Sequence, residues 1–178
     1  LDRELELVEE RILCKGKRVI LAERTYKYKG STFTKDVVKF GEAVAIIPLK
    51  DSGSVVLVRQ FRAPINSWIL EVPAGRVEPQ ENPEEAAHRE LVEEIGYKAA
   101  KLTKLASICM SPGYSDEVLH IYLAEGLKYV GTKPEPGELI RVEEMTLKEA
   151  LKTILSEKIA DSKTLIALFL TCQRLSKN

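Results

Sequence analysis

The sequence carries no surplus of charge: Lys and Arg together number 27, as do Asp and Glu, across 178 residues. A protein that tracks a long nucleic acid needs a field of one sign over its surface, so this balance argues against such a partner and leaves a small molecule as the expected anion. Cysteine is scarce. Cys14, Cys109 and Cys172 are far apart and have no Cys-x-x-Cys spacing, which argues against a disulfide framework or a thiolate zinc site and fits a reducing cytoplasm. Nowhere do about 18 apolar residues run together, as a membrane helix requires, and no basic start followed by an apolar stretch marks a secretory leader. The expectation is a soluble, cytoplasmic chain with neither membrane nor nucleic-acid partner. Internal repeats, low-complexity segments and a regular strand-helix-strand alternation are also missing. What remains is a chain with 44% hydrophobic residues, long enough to bury one main core.

From Leu5 to Phe40 apolar and polar residues alternate and are broken at Lys15-Gly16 and Lys29-Gly30, which reads as short antiparallel strands joined by hairpins. Residues 1–40 are therefore expected to form an N-terminal β-sheet region, and residues 41–178 the main domain. In the latter, strands are expected over Ala43 to Leu49, Val55 to Gln60 and Trp68 to Val72, after which Pro73-Ala74-Gly75 bends the chain away. A helix follows from Pro83 to Ile95: Asn82 is a good N-cap, Glu85 completes a capping box and Gly96 supplies the stop. Later strands are expected around Leu102 to Cys109, Val118 to Ala124 and Ile140 to Met145, then helices near Leu147 to Ser156 and Asp161 to Leu175. This mixture favours an α+β fold, a layered sandwich with a mixed sheet.

The first helix carries the chemistry. Glu90 and Glu94 share a face and Glu93 lies beside them, while Ala87, Leu91 and Ile95 form the apolar stripe, so Glu90 and Glu94 fall on its border. Clustered like charges weaken a helix by a few tenths of a kcal/mol, a cost that makes sense if a divalent cation neutralises them. Hard oxygen ligands point to Mg²⁺, with Mn²⁺ as a substitute. The plain alternative is a solvated acidic face in which Glu85 and Glu93 bridge to Arg89.

Gly75, Glu81 and the run Arg89-Glu90-Leu91-Val92-Glu93-Glu94-Ile95-Gly96-Tyr97 keep the spacing of a 23-position signature, and with it the chain resembles the Nudix hydrolase family. Tyr97 departs from the pattern, which prefers an aliphatic residue there. The resemblance implies an α/β/α sandwich with a mixed sheet, Glu90 and Glu94 as principal metal ligands, Glu93 as a further ligand or water orienter, and the Ala74 carbonyl as another ligand. It also implies that Arg89 holds Glu81 and Glu93 in position. Gly75 reads as a backbone necessity, leaving room for the loop before the helix.

Beyond the signature, Val58-Arg59-Gln60-Phe61-Arg62, Leu70-Glu71-Val72-Pro73-Ala74-Gly75 and Ser111-Pro112-Gly113-Tyr114-Ser115-Asp116-Glu117 look like the ADP-ribose pyrophosphatase branch, in which a proline follows the last signature glycine by about sixteen positions; Pro112 follows Gly96 by 16. ADP-ribose is the expected substrate and AMP and ribose 5-phosphate the expected products. A pocket for it needs cationic forks, for which Arg59, Arg62 and Arg76 are candidates with Arg62 first, each set against a role in a surface ion pair. Trp68, Tyr26, Tyr28 and Phe33 are candidates to stack on adenine, although Trp68 near a strand start also reads as core. Glu117 is a weaker candidate to orient substrate or a metal-bound water. The resemblance implies a catalytic base on Lys133-Pro134-Glu135-Pro136-Gly137-Glu138-Leu139; Glu138 is the first choice, with Glu135 or Glu93 as alternatives. His88 and His120 read as structural. The resemblance implies a homodimer, since relatives in this branch are commonly dimers whose N-terminal sheet supplies part of the partner's adenine site, a role that the segment from Leu5 to Phe40 would suit. Other readings are a pyrophosphatase for NADH, an ADP-sugar or a dinucleoside polyphosphate, a non-catalytic ADP-ribose sensor, and a scaffold whose helix from Leu165 to Leu175 docks a partner.

Overall fold

The computed structural model describes residues 4–133 and 139–177. Two compact units divide the chain: the first takes residues 1–42 and 108–119, the second residues 43–107 and 120–178.

The first unit is a three-stranded antiparallel sheet of β1 (Leu5–Lys15), β2 (Ile20–Tyr28) and β3 (Ser31–Lys39), in that order. The turn between β2 and β3 places Lys29 and Gly30 at φ of 49° and 81°, the two successive positive values that a type I′ hairpin needs and that match the twist of the flanking strands. The β1–β2 pairing slips between Leu7 and Glu9 and again between Ile12 and Cys14, so β1 carries two bulges. Every residue of β1 is exposed, including Leu5, Leu7, Val8, Ile12 and Leu13. The segment around Tyr114 joins β3: the Val38 amide donates to the Tyr114 carbonyl at 2.7 Å, and the Asp116 amide donates to the Val38 carbonyl at 3.2 Å. Asp116 Oδ1 accepts from the amides of Phe40 at 2.7 Å and Gly41 at 3.1 Å. Burial alone would raise the Asp116 carboxyl, but these two amides, together with the charges of Arg24 and Lys39, outweigh it and hold the group below its ordinary range.

The second unit holds most of two further sheets. In one, β5 (Ser54–Arg62) lies between β10 (Ile140–Thr146) and β6 (Ser67–Glu71); the other has the order β7 (Ala74–Arg76), β4 (Glu42–Pro48), β9 (Val118–Tyr129), β8 (Tyr97–Cys109). Strand alternation divides their side chains between two faces. Val44 and Ile46 of β4 and Val56 and Val58 of β5 pack with Ala86, Ala87, Leu91 and Ile95 of α1 (Pro83–Ile95), together with Tyr122 and Ala124 of β9. The intervening Ala45, Ile47, Val55 and Leu57 are equally buried and face the other way. On that side α2 (Leu147–Ser156) contacts β5 and β10, α3 (Ser162–Leu175) contacts β6, and the two helices bury Ala150, Ile154, Ala167 and Leu168. Helix, strand and helix layers result, as the sequence implied.

Strand β9 runs on to Tyr129 instead of ending at Ala124, and two further elements differ from expectation. Pro73-Ala74-Gly75 does not leave the sheet: Ala74 to Arg76 pair with Ala45 to Ala43 of β4, a three-residue strand too short to show any alternation. Strand β8 starts at Tyr97, directly after the helix, rather than at Leu102. Its first turns of sequence, Lys98-Ala99-Ala100-Lys101, have low strand propensity and are held there by tertiary pairing.

Candidate active site

Helix α1 is fixed at both ends before any ligand is considered. The Asn82 side chain accepts from the amides of Glu84 and Glu85, each at 3.0 Å, and the Asn82 amide donates to Glu85 Oε2 at 2.9 Å. Glu85 is thereby used in the cap and not as a bridge to Arg89. At the other end Gly96 adopts φ 76°, and its amide donates to the Val92 carbonyl at 3.1 Å. The helix then rests its apolar stripe on the sheets, which turns the neighbouring carboxylates inward: Glu90 is 8% exposed and Glu94 4%.

These carboxylates have specific supports. Glu94 Oε2 accepts from the Ala74 amide at 3.1 Å. The Glu90 carboxylate occupies the space beside Gly75, where a Cβ would lie 1.7 Å from Glu90 Oε1. Gly75 is thus required by the carboxylate itself, a sharper reason than loop clearance. Arg89 binds the rest together: Nε and Nη2 donate to the two oxygens of Glu81 at 3.0 and 3.1 Å, Nη1 donates to Glu90 at 2.7 Å and Glu93 at 2.9 Å, and Nη2 also donates to the Arg76 carbonyl at 2.8 Å. A guanidinium has five N–H groups, and all are used. Arg89 is accordingly held in its charged form more firmly than an ordinary arginine, first by Glu81, and the Glu81 carboxyl is in turn lowered by Arg89.

The donor set fits a divalent ion that keeps part of its water shell. Among the described residues no group of three acidic, histidine or cysteine side chains forms a ready cage. Mg²⁺-type sites seldom need one, since one or two carboxylates with waters and substrate phosphates complete the shell. Glu90 and Glu94, buried and presenting hard oxygens, would supply those two, with Glu93 beside them in the helix and Ala74 brought to Glu94 by its amide contact.

Strand parity sorts the cationic candidates. Arg62 has the parity of Val56 and Val58, the face that receives α1, whereas Arg59 and Phe61 lie on the opposite face, and the register pairs Phe61 with Trp68. Arg59 there donates to Glu143 at 2.7 Å and Glu157 at 3.2 Å, the surface ion-pair role weighed for it from sequence. Trp68 is 37% exposed and so not core; it packs edge-on to Phe61 at 5.9 Å beneath the guanidinium of Arg141 at 4.9 Å. Neither Arg59 nor Trp68 is brought to the carboxylates. Arg76 is exposed beside Gly75 in β7.

Arg62 meets a residue that sequence reasoning passed over. Its Nε and Nη2 donate to Glu71 Oε1 and Oε2, both at 2.6 Å, and Glu71 is 0% exposed. Lys163 of α3 donates to the same carboxylate and, at 2.9 Å, to Asp161, the N-cap of α3. Burial would push the Glu71 carboxyl up, yet the two cations prevail and hold it below its ordinary value. No local signal marks this group, because Glu71 and Lys163 are 92 positions apart.

Other candidates lie elsewhere. Pro112 lines a cavity of about 400 Å³ within the first unit, with Arg24, Tyr26, Phe33 and Lys35, where Tyr26 and Phe33 stack at 5.6 Å and 19°. Glu117 belongs to the same unit, its amide donating to Ser115 Oγ at 3.2 Å. Tyr28 ends β2. Buried His120 shares a 2.8 Å hydrogen bond with Ser107 Oγ, in keeping with a structural role. Tyr97 packs against the α1 core and edge-on to Tyr129 at 5.3 Å, so the departure from the aliphatic pattern keeps its packing role. Glu135 and Glu138 fall within residues 134–138, outside the described residues.

A capped helix presenting inward carboxylates beside a glycine-bearing strand, in a helix-strand-helix sandwich, defines a class: residues 39–168 match the NUDIX domain, and the chain belongs to that family of hydrolases, whose enzymes use divalent metal ions. Within it, the chain is 43% identical over 141 residues to the ADP-ribose pyrophosphatase of Bacillus subtilis, covering 78% of this chain and 76% of that one. It is 40% identical over 141 residues, with the same shares covered, to the methanol dehydrogenase activator of Bacillus methanolicus. A solved structure described as an ADP compounds hydrolase superposes with a TM-score of 0.86 at 22% identity, covering 98% of this chain and 96% of that one, which shows the shared fold.

Proposed function

We propose that this chain hydrolyses the diphosphate bridge of ADP-ribose, giving AMP and ribose 5-phosphate, with Mg²⁺ as its working ion and Mn²⁺ as a substitute. The observation that carries the reading is the pair of buried carboxylates, Glu90 and Glu94, held on the apolar side of α1 at positions where a solvated acidic face would expose them. The similarity to a relative named ADP-ribose pyrophosphatase supports the choice of substrate. When bound, the ion polarises phosphate oxygens and lowers the pKa of water. Glu90 and Glu94 hold it, with the Ala74 carbonyl and Glu93 as further donors. Arg62, on the same face and within the electrostatic reach of Glu94, binds a phosphate oxygen of the substrate. Arg76 assists in orienting it. A carboxylate accepts the proton as water oxygen bonds to phosphorus and the bridging P–O bond breaks; Glu138 is the candidate, with Glu135 or Glu93 as the alternative.

We further propose a cytoplasmic homodimer formed through residues 1–40, for which the exposed apolar residues of β1 give support. The test of the activity is purified protein with Mg²⁺ and ADP-ribose, products resolved by ion-exchange chromatography, beside NADH, ADP-glucose and diadenosine polyphosphates, with Glu94→Gln as control. AMP released from ADP-ribose and lost in the variant is the expected result. Preference for another member of the panel would keep the metal site and remove the substrate assignment, and metal binding without any cleavage would favour a sensor.

A further inference from the structure

The Arg62–Glu71–Lys163–Asp161 group has more order than a simple ion pair requires. Glu71 is fully buried, and its two oxygens meet one edge of the Arg62 guanidinium in a fork-to-fork pair. That edge uses Nε and one N–H of Nη2, so the plane and the remaining edge of the guanidinium are fixed. Glu71 Oε2 also accepts from Lys163, whose ammonium is shared with Asp161 Oδ1. Asp161 Oδ2 accepts from the Thr164 amide at 2.9 Å and from Thr164 Oγ1 at 2.6 Å, and Thr164 Oγ1 accepts from the Val72 amide at 2.8 Å. The chain of contacts thus runs from the cap of α3 through the end of β6 to Arg62. Two carboxylates and two cations sum to zero formal charge, a balance that a buried setting demands.

We propose that Lys163 and Glu71 are positioning residues that brace Arg62 for the substrate's diphosphate, making the start of α3 a determinant of substrate affinity. The proposal rests on Arg62 being the phosphate-binding arginine. Without Lys163 the brace carries an extra negative charge, and Arg62 is drawn into neutralising Glu71 and Asp161 instead of the substrate. Without the Glu71 charge the guanidinium loses its fixed edge.

The experiment is a kinetic cycle on the full chain with ADP-ribose and Mg²⁺, using Lys163→Met, Lys163→Arg, Arg62→Lys and the double variant Arg62→Lys with Lys163→Met, each checked for a cooperative thermal melt. The expected result is a KM raised about 10-fold in Lys163→Met with an unchanged dependence on Mg²⁺ concentration, largely restored in Lys163→Arg. The double variant should be less impaired than the product of the two single effects, because both act through one guanidinium. Should Lys163→Met lose its cooperative melt, Asp161→Asn keeps a competent helix cap while withdrawing the second partner of Lys163, and a shifted KM with unchanged Mg²⁺ dependence is again expected. An impaired Arg62→Lys beside a normal KM in the Lys163 or Asp161 variant, or effects that simply multiply, would overturn the brace alone. An unimpaired Arg62→Lys would overturn the phosphate role of Arg62 and the brace with it.

Discussion

Gly75 and Glu90 are one feature at the residue scale. A methyl group at position 75 would overlap the Glu90 carboxylate, so Gly75→Ala should displace that carboxylate by an ångström or more and lower turnover about 100-fold, a loss that such a misplacement can cause, while the thermal melt changes little. Normal turnover would show that Glu90 has another workable rotamer. Glu71 gives a pH prediction of defined sign. Its folded pKa is depressed from 4.5, so its stabilising contribution is complete above about pH 4.5 and is lost as pH falls through the folded value. Urea midpoints measured between pH 6 and pH 3 should drop for the native chain and drop less for Glu71→Gln; parallel curves would count against it. Much at this scale was legible in the sequence, since Glu90, Glu93, Glu94, Arg89 and Gly75 lie in one short stretch with fixed spacing. The split between Arg59 and Arg62 could have been read from strand alternation, three positions apart being opposite faces. Glu71 with Lys163, and Asp116 with the amides of Phe40 and Gly41, depend on tertiary proximity and left no pattern to read.

Helix α1 is the element on which the site depends. Replacing Asn82 by Ala removes both amide contacts of the cap and should cost about 1 kcal/mol, seen as a lower melting temperature with nearly normal turnover at 25 °C. At the other end the demand is stricter. Gly96 has φ 76°, and an added Cβ would come within 2.8 Å of the Gly131 carbonyl carbon, so Gly96→Ala combines backbone strain with a steric clash. A loss of about 1–3 kcal/mol is expected from thermal or urea unfolding, and an unchanged midpoint would argue that residues 129–132 yield at no cost. The cap, the stop and the hairpin at Lys29-Gly30 were readable because each is a local rule. Strand β7 was not, because three residues that contain a glycine and follow a proline look like a turn until β4 supplies their partner.

For the whole molecule, the exposed apolar residues of β1 bear on assembly. Replacing Leu7 and Ile12 together by Lys should convert a dimer seen by light scattering into a monomer; a native chain that is already monomeric and fully active would dispose of the dimer. The two bulges in β1 disturb its edge, which disfavours open-ended strand addition and leaves side-chain packing as the way to cover that surface.

Arg89 spends all five of its N–H groups on Glu81, Glu90, Glu93 and the Arg76 carbonyl. An internal cation therefore already offsets part of the mutual repulsion of the acids. Chelation should then act as a switch and not as a denaturant: stripped protein would keep its fold through storage and regain full rate as soon as the ion is returned, so that the free concentration of the ion, and not the amount of folded chain, would govern the rate of turnover.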